Sequence, residues 1–156
     1  MTFQVHVTGV IVHGRKYPVY AYTWFDNFPN DSNIVIAILN DVLIKNLEDE
    51  KQLPETLYLQ LDNCGRENKN KYVFTYCHFL VAFGVFKKVK VSFLPVGHTH
   101  NDVDQFFQRI NKRLSGKDCL TLWELQNAIF ESYKSNKGRC IEIQTVHLDQ
   151  VGLYHR

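Results

Sequence analysis

The string LQLDNCGRENKN, residues 59–70, sets Asp62, Asn63, Arg66, Glu67, Asn68 and Lys69 directly behind an alternating apolar run. A strand that ends in Asp-Asn, then a short polar turn and a helix, holds one carboxylate at the rim of a sheet. A second block, His98-Thr99-His100-Asn101-Asp102-Val103-Asp104, follows the next alternating run, KVKVSF. In an open α/β sheet the carboxyl ends of neighbouring parallel strands share the ligand-binding edge, so both blocks are expected at one crevice. Carboxylates converging there suit Mg²⁺ or Mn²⁺, hard ions that take oxygen ligands and keep waters for a substrate phosphate. Two such ions about 3.5–4 Å apart activate a water or hydroxyl and stabilise the leaving oxygen of a phosphodiester.

Each residue also has a plainer reading. Asp62 at a strand end serves equally as an Asx-turn or helix cap. Within the second block, Asp102 falls at the expected start of a helix and is read as its cap, which leaves Asp104, in the first turn, as the preferred metal ligand. His98 and His100, two apart, face the same way in an extended segment; they suit a zinc site, a substrate-orienting role or a purely structural one. Glu67, Asn68 and Asn70 can support metal ligands from behind, or Asn68 and Asn70 simply open the next helix. Arg66, Lys69 and Lys71 are the cations expected near phosphates. Cys64 with a histidine base would make a thiol nucleophile, but no nucleophile elbow accompanies it, and a small buried cysteine is the plainer reading.

The elements that must position these residues are legible as periodicities. Residues 3–12 and 19–25 alternate as strands around a turn containing Gly14 and Pro18, a hairpin. Asp31-Ser32-Asn33 caps a helix whose apolar positions run from Ile34 to about Leu47. A strand over 56–61, a helix over 70–83 ended by Gly84, and a strand over 88–93 form a parallel crossover. A helix over 102–114 carries Val103, Phe106, Phe107, Ile110 and Leu114 on one face. Thr121 and Glu124 form a capping box that opens a last helix to about Tyr133, and residues 141–146 read as one more strand. The order ββαβαβαα describes an α/β layer.

With 156 residues, 45% of them apolar and 13% aromatic, the chain can bury a sizeable core. Its net charge of +2 gives no bulk case for nucleic acid. A local case rests on Lys87-Lys88-Lys90 or Arg109-Lys112-Arg113, each of which reads equally as a solvated face. Cys64, Cys77, Cys119 and Cys140 form no CxxC pair and no disulfide framework, which points to a reducing compartment. No signal peptide or membrane span is visible, so an intracellular protein, nuclear or cytoplasmic, is expected.

Taken together, LYLQLDNCGRENKN, FLPVGHTHNDVDQFF, VTGVIVHG and the NDSN cap resemble the transposase-derived domain of many uncharacterised animal proteins. That domain is similar to the ribonuclease-H-like superfamily of DDE-type transposases and integrases, and the likeness runs from about Val5 to about Leu125. It implies a mixed five-stranded sheet with helices on both faces, Mg²⁺ or Mn²⁺ as cofactor, DNA as partner, and a catalytic set of three acids. Asp62 matches the acid after the fourth strand, and Asp104, or Asp102 beside it, matches the acid on the final helix; His98 and His100 would stand next to the ion. The first acid of the family lies on the central first strand, whereas this chain opens at Met1 with what resembles the second. The expectation is therefore a ribonuclease-H-like domain over 1–134 without its first strand, and a C-terminal extension over 135–156. Reading 3–12 as the first strand instead puts His6 or Thr8 where an acid belongs. The rival expectation is a catalytically inert module that binds protein or nucleic acid; nothing in the sequence fixes an oligomeric state.

Overall fold

A computed structural model describes residues 4–14, 18–94, 102–133 and 141–146. It shows an α/β protein with nine elements among them: β1 (Val5–Ile11), β2 (Val19–Phe25), α1 (Ser32–Glu50), β3 (Thr56–Leu61), α2 (Lys71–Ala82), β4 (Lys88–Phe93), α3 (Asp102–Leu114), α4 (Leu122–Tyr133) and β5 (Ile141–Thr145). They divide between two compact units, the first holding β1, β2, α3, α4 and β5 and the second α1, β3, α2 and β4.

In the first unit β1 and β2 pair antiparallel from Val5 opposite Phe25 to Ile11 opposite Val19, the expected hairpin. The Val12 amide closes it on the Pro18 carbonyl at 3.0 Å. The other side of β2 takes β5 in parallel, so the sheet is mixed, in the order β1-β2-β5. Strand β2 is buried from Val19 to Trp24, on both faces of the pleat, as a central strand's continuous apolar run requires. On one face Val19 and Ala21 pack with Phe106 and Ile110 of α3 and with Ile129 and Tyr133 of α4. The expected apolar stripe of α3 thus supplies that core: its buried residues are Phe106 and Ile110.

The second unit is a β3-α2-β4 crossover with parallel strands, Thr56 opposite Lys88 through Leu61 opposite Phe93. Helix α2 packs on β4 and α1 packs on α2. Asp31 caps α1 by accepting the Asn33 amide at 2.8 Å. That helix runs past Leu47 to Glu50 and stops at Lys51, in the left-handed conformation at φ 63°. Beyond α2, Gly84 adopts φ +73°, a conformation glycine takes without penalty. Buried Ile34, Ile38 and Val42 of α1 and Val73, Cys77 and Leu80 of α2 line these two helices.

Candidate functional site

The parallel register of β3 and β4 ends with Leu61 beside Phe93, and the Leu94 amide bonds the Leu61 carbonyl at 3.1 Å. Asp62, the next residue along β3, therefore stands at the carboxyl edge of a parallel pair, where the sequence placed it, and it is exposed. No hydrogen bond or ion pair to another described residue engages its carboxylate.

The polar turn that follows is occupied by structural bonds. The Cys64 carbonyl accepts the amides of Asn68 and Lys69, each at 2.9 Å. Asn70 caps α2, its Oδ1 accepting the Tyr72 and Val73 amides at 3.1 and 3.2 Å. Its Nδ2 donates back to the carbonyls of Gly65 at 3.2 Å and Arg66 at 3.1 Å, folding the turn onto the helix start. Glu67 Oε1 accepts from the Asn30 side-chain Nδ2 at 2.9 Å, and the buried Ser32 hydroxyl donates to the Arg66 carbonyl at 3.4 Å. Of the alternatives for these residues, capping thus falls to Asn70 and not to Asp62. Asn63 is half-buried, and Arg66 and Lys69 are exposed; the Lys69 ammonium lies 5.4 Å from the Phe93 ring centroid.

Cys64, Cys77 and Cys119 are free thiols. Cys64 is half-buried, whereas burial pushes the Cys77 thiol up and away from reactivity. Tyr76 beside it is pushed up to about 12 by burial, with the neighbouring Cys77 adding to the shift.

His98 and His100 lie outside the described residues. Asp102, expected as the cap of α3, is its first helical residue, and its carboxylate stands 3.8 Å from His13 Nε2. Asp104 is half-buried in the same first turn, where the helix dipole favours both acids. Asp102 and Asp104 belong to the first unit and Asp62 to the second. Among the described residues no three His, Cys, Asp or Glu side chains converge as a metal-binding group.

Two features of the first unit were not read from the sequence. His6 Nε2 lies 2.6 Å from Asp26 Oδ1, and the His6 ring stacks on Trp24 at 5.4 Å between centroids. The register that sets His6 opposite Trp24 is the only signal for that pair. The other is an open groove of about 410 Å³ between α4 and β5, with Trp123 and Phe130 on one wall and Ile141 and Ile143 on the other. At its base Gln126 Nε2 donates to Thr23 Oγ1 at 2.9 Å and Thr145 Oγ1 at 3.0 Å. No helix among the described residues is long and apolar enough to cross a membrane.

A family model described as "Domain of unknown function (DUF7869)" matches residues 1–151, so the chain belongs to that family. No curated protein and no solved structure matches it.

Proposed function

We propose that this DUF7869 member is a transposase-like domain of ribonuclease-H-like ancestry, derived from metal-dependent phosphodiester cleavage or strand transfer on DNA, with Asp62 as a ligand of Mg²⁺ or Mn²⁺. The observation that carries the reading is the state of Asp62. It is exposed at the carboxyl edge of a parallel β pair, and the capping role that would explain it structurally belongs to Asn70. An uncommitted carboxylate there offers the hard oxygen ligand these ions take. The ion would supply an activated water and charge stabilisation for the leaving oxygen. By resemblance, Asp104, with Asp102 as its rival, would be a further acid of the family's set, and His98 and His100 would be its substrate-orienting histidines.

Arg66 and Lys69, exposed on the turn behind Asp62, are the residues that would hold a phosphate, and Asn63 stands next to the acid. Function on DNA inside the cell, in nucleus or cytoplasm, goes with this reading.

The test is Mn²⁺ titration by calorimetry on the whole chain, wild type against Asp62→Asn and Asp104→Asn. Saturable binding that Asp62→Asn abolishes is the expected result. Binding of equal strength in Asp62→Asn removes the assignment of Asp62. A chain that binds no ion, yet keeps DNA or protein binding in both variants, belongs to the inert-module reading.

A further inference from the structure

The strands β3 and β4 turn alternate residues to opposite faces of their sheet. One face, Leu57, Leu59 and Leu61 with Val89, Val91 and Phe93, is half-buried throughout. The other presents Tyr58 and Gln60 from β3 and Lys88, Lys90 and Ser92 from β4, all exposed. Tyr58 is 71% exposed, an unusual amount of free aromatic surface in the middle of a strand. The register sets it opposite Lys90, whose ammonium lies 4.8 Å from the ring centroid. Lys88 stands two residues before Lys90 on the same face. No carboxylate pairs with either lysine among the described residues, whereas the neighbouring Lys87 is neutralised by Glu55.

Within the two strands this face therefore carries two cations, one aromatic ring and three neutral hydrogen-bonding side chains, the exposed Gln60 and Ser92 and the half-buried Thr56, with no acid. The nearest acid along it is Asp62, just past the end of β3. An apolar partner has nothing to bury there except one ring, and a lipid surface has no apolar residue to receive beside it. A duplex would meet the cations but not the ring, because its bases are already stacked.

We propose that the outward face of the β3–β4 sheet binds single-stranded nucleic acid, a base stacking on Tyr58 and the flanking phosphates contacting Lys88 and Lys90. Stacking on an exposed sheet aromatic with cations alongside is how such strands are held without sequence preference. Lys88 and Lys90 stand about 6.6 Å apart along the strand, close to the separation of neighbouring phosphates in an extended single strand. Gln60 supplies hydrogen bonds to base or sugar edges, and Ser92 Oγ, whose proton goes to the Leu59 carbonyl at 3.5 Å, remains an acceptor. This binding does not require Asp62 to hold an ion, so it stands or falls separately from the metal reading.

The experiment is fluorescence anisotropy of labelled oligo(dT) and oligo(U) with the whole chain, in EDTA, over a series of salt concentrations. The expected result is saturable binding that Tyr58→Ala weakens about tenfold and Tyr58→Phe retains. Lys88→Ala with Lys90→Ala should reduce the slope of log K against log salt by about 0.7 per lysine. Lys117→Ala, a lysine of the other unit, should change neither quantity. Circular dichroism checks that each variant stays folded, which these exposed positions allow. Comparison of the two oligonucleotides tells whether DNA or RNA is preferred. Absence of binding overturns the proposal, as does binding that the Tyr58 and lysine variants leave intact, or binding confined to duplex DNA or anionic vesicles.

Discussion

The ring of Phe106 lies against the bare Cα of Gly9: a Cβ placed on that glycine would stand 2.7 Å from two of the ring carbons. Phe106 is fully buried between β1, β2 and the helices above them, so the ring has nowhere to retreat. Gly9 sits mid-strand opposite Ala21, where its own backbone needs no special freedom; what requires glycine is the close approach of α3. Gly9→Ala should therefore destabilise the first unit by about 1–3 kcal/mol through overpacking. Urea unfolding of the variant checks this, and a gain in stability, as Gly→Ala gives at unconstrained sites, would refute the packing account.

Gln126 ties three elements together. Its amide donates to Thr23 on β2 and Thr145 on β5, and the Thr23 hydroxyl in turn donates to the Gln144 carbonyl at 3.2 Å. Thr23 is fully buried, and losing Gln126 removes the side chain that donates to its hydroxyl. Gln126→Ala should cost about 1–3 kcal/mol in urea unfolding, and Thr23→Val combined with it should recover part of that loss. Strictly additive single and double variants would show that the two side chains are not coupled.

These contacts mark where sequence reasoning stopped. The periodicities located every described element, because each reflects a local pattern of burial: Val103, Phe106 and Ile110 recur at helical spacing whatever they pack against. Partner choice is not local. Nothing in VYAYTWF distinguishes β5 from β3 as the neighbour of β2, since a strand buried on both faces reads as one continuous apolar run. Helix α2 shows a related limit, for KYVFTYCHFLVA is apolar nearly all round. It buries Val73, Cys77 and Leu80 but leaves Tyr72, Phe74 and Phe79 exposed, and its sequence alone does not say which side faces in. At the candidate site the position of Asp62 was legible from the strand that precedes it. The division of labour between Asp62 and Asn70 was not, because both residue types cap helices equally well.

Glu124 closes the capping box of α4 and supplies a pH signature. Its carboxylate accepts the Leu120 and Thr121 amides at 2.8 and 2.9 Å, while Thr121 Oγ1 accepts the Glu124 amide at 3.1 Å. The backbone bonds from Leu120 and Thr121 hold the carboxyl below its ordinary value. A lowered folded-state value means that the stabilisation is present above the unfolded value, about 4.3, and is lost as pH falls through the lower folded one. Glu124→Gln keeps an acceptor without the titration. The stability difference between wild type and Glu124→Gln should thus be constant at neutral pH and shift against the wild type on acidification through that window. A difference that does not change between neutral pH and pH 3 would show that the carboxylate's charge plays no part in the cap.

Asn70 and Asp62, at the two ends of one polar turn, make opposite predictions. Asn70→Ala removes two accepted amides at the start of α2 and two donated bonds that fold the turn, and should cost about 1–2 kcal/mol in urea unfolding. Asn70→Asp keeps the accepted bonds and adds a charge favourable at a helix N-terminus, but it turns a carboxylate oxygen in place of the donor Nδ2 toward the Gly65 and Arg66 carbonyls, so it should recover only part of the loss. Asp62→Asn removes a charge that holds no described partner and should leave the unfolding midpoint within about 0.5 kcal/mol of wild type, the range of surface changes. Added Mn²⁺ separates them further. If Asp62 is an ion ligand, Mn²⁺ should raise the wild-type and Asn70→Asp midpoints and leave Asp62→Asn unmoved, because an ion stabilises only the folded state that binds it. Equal Mn²⁺ stabilisation in Asp62→Asn would assign the ion elsewhere, and a large loss of stability in Asp62→Asn without metal would make Asp62 a structural residue after all.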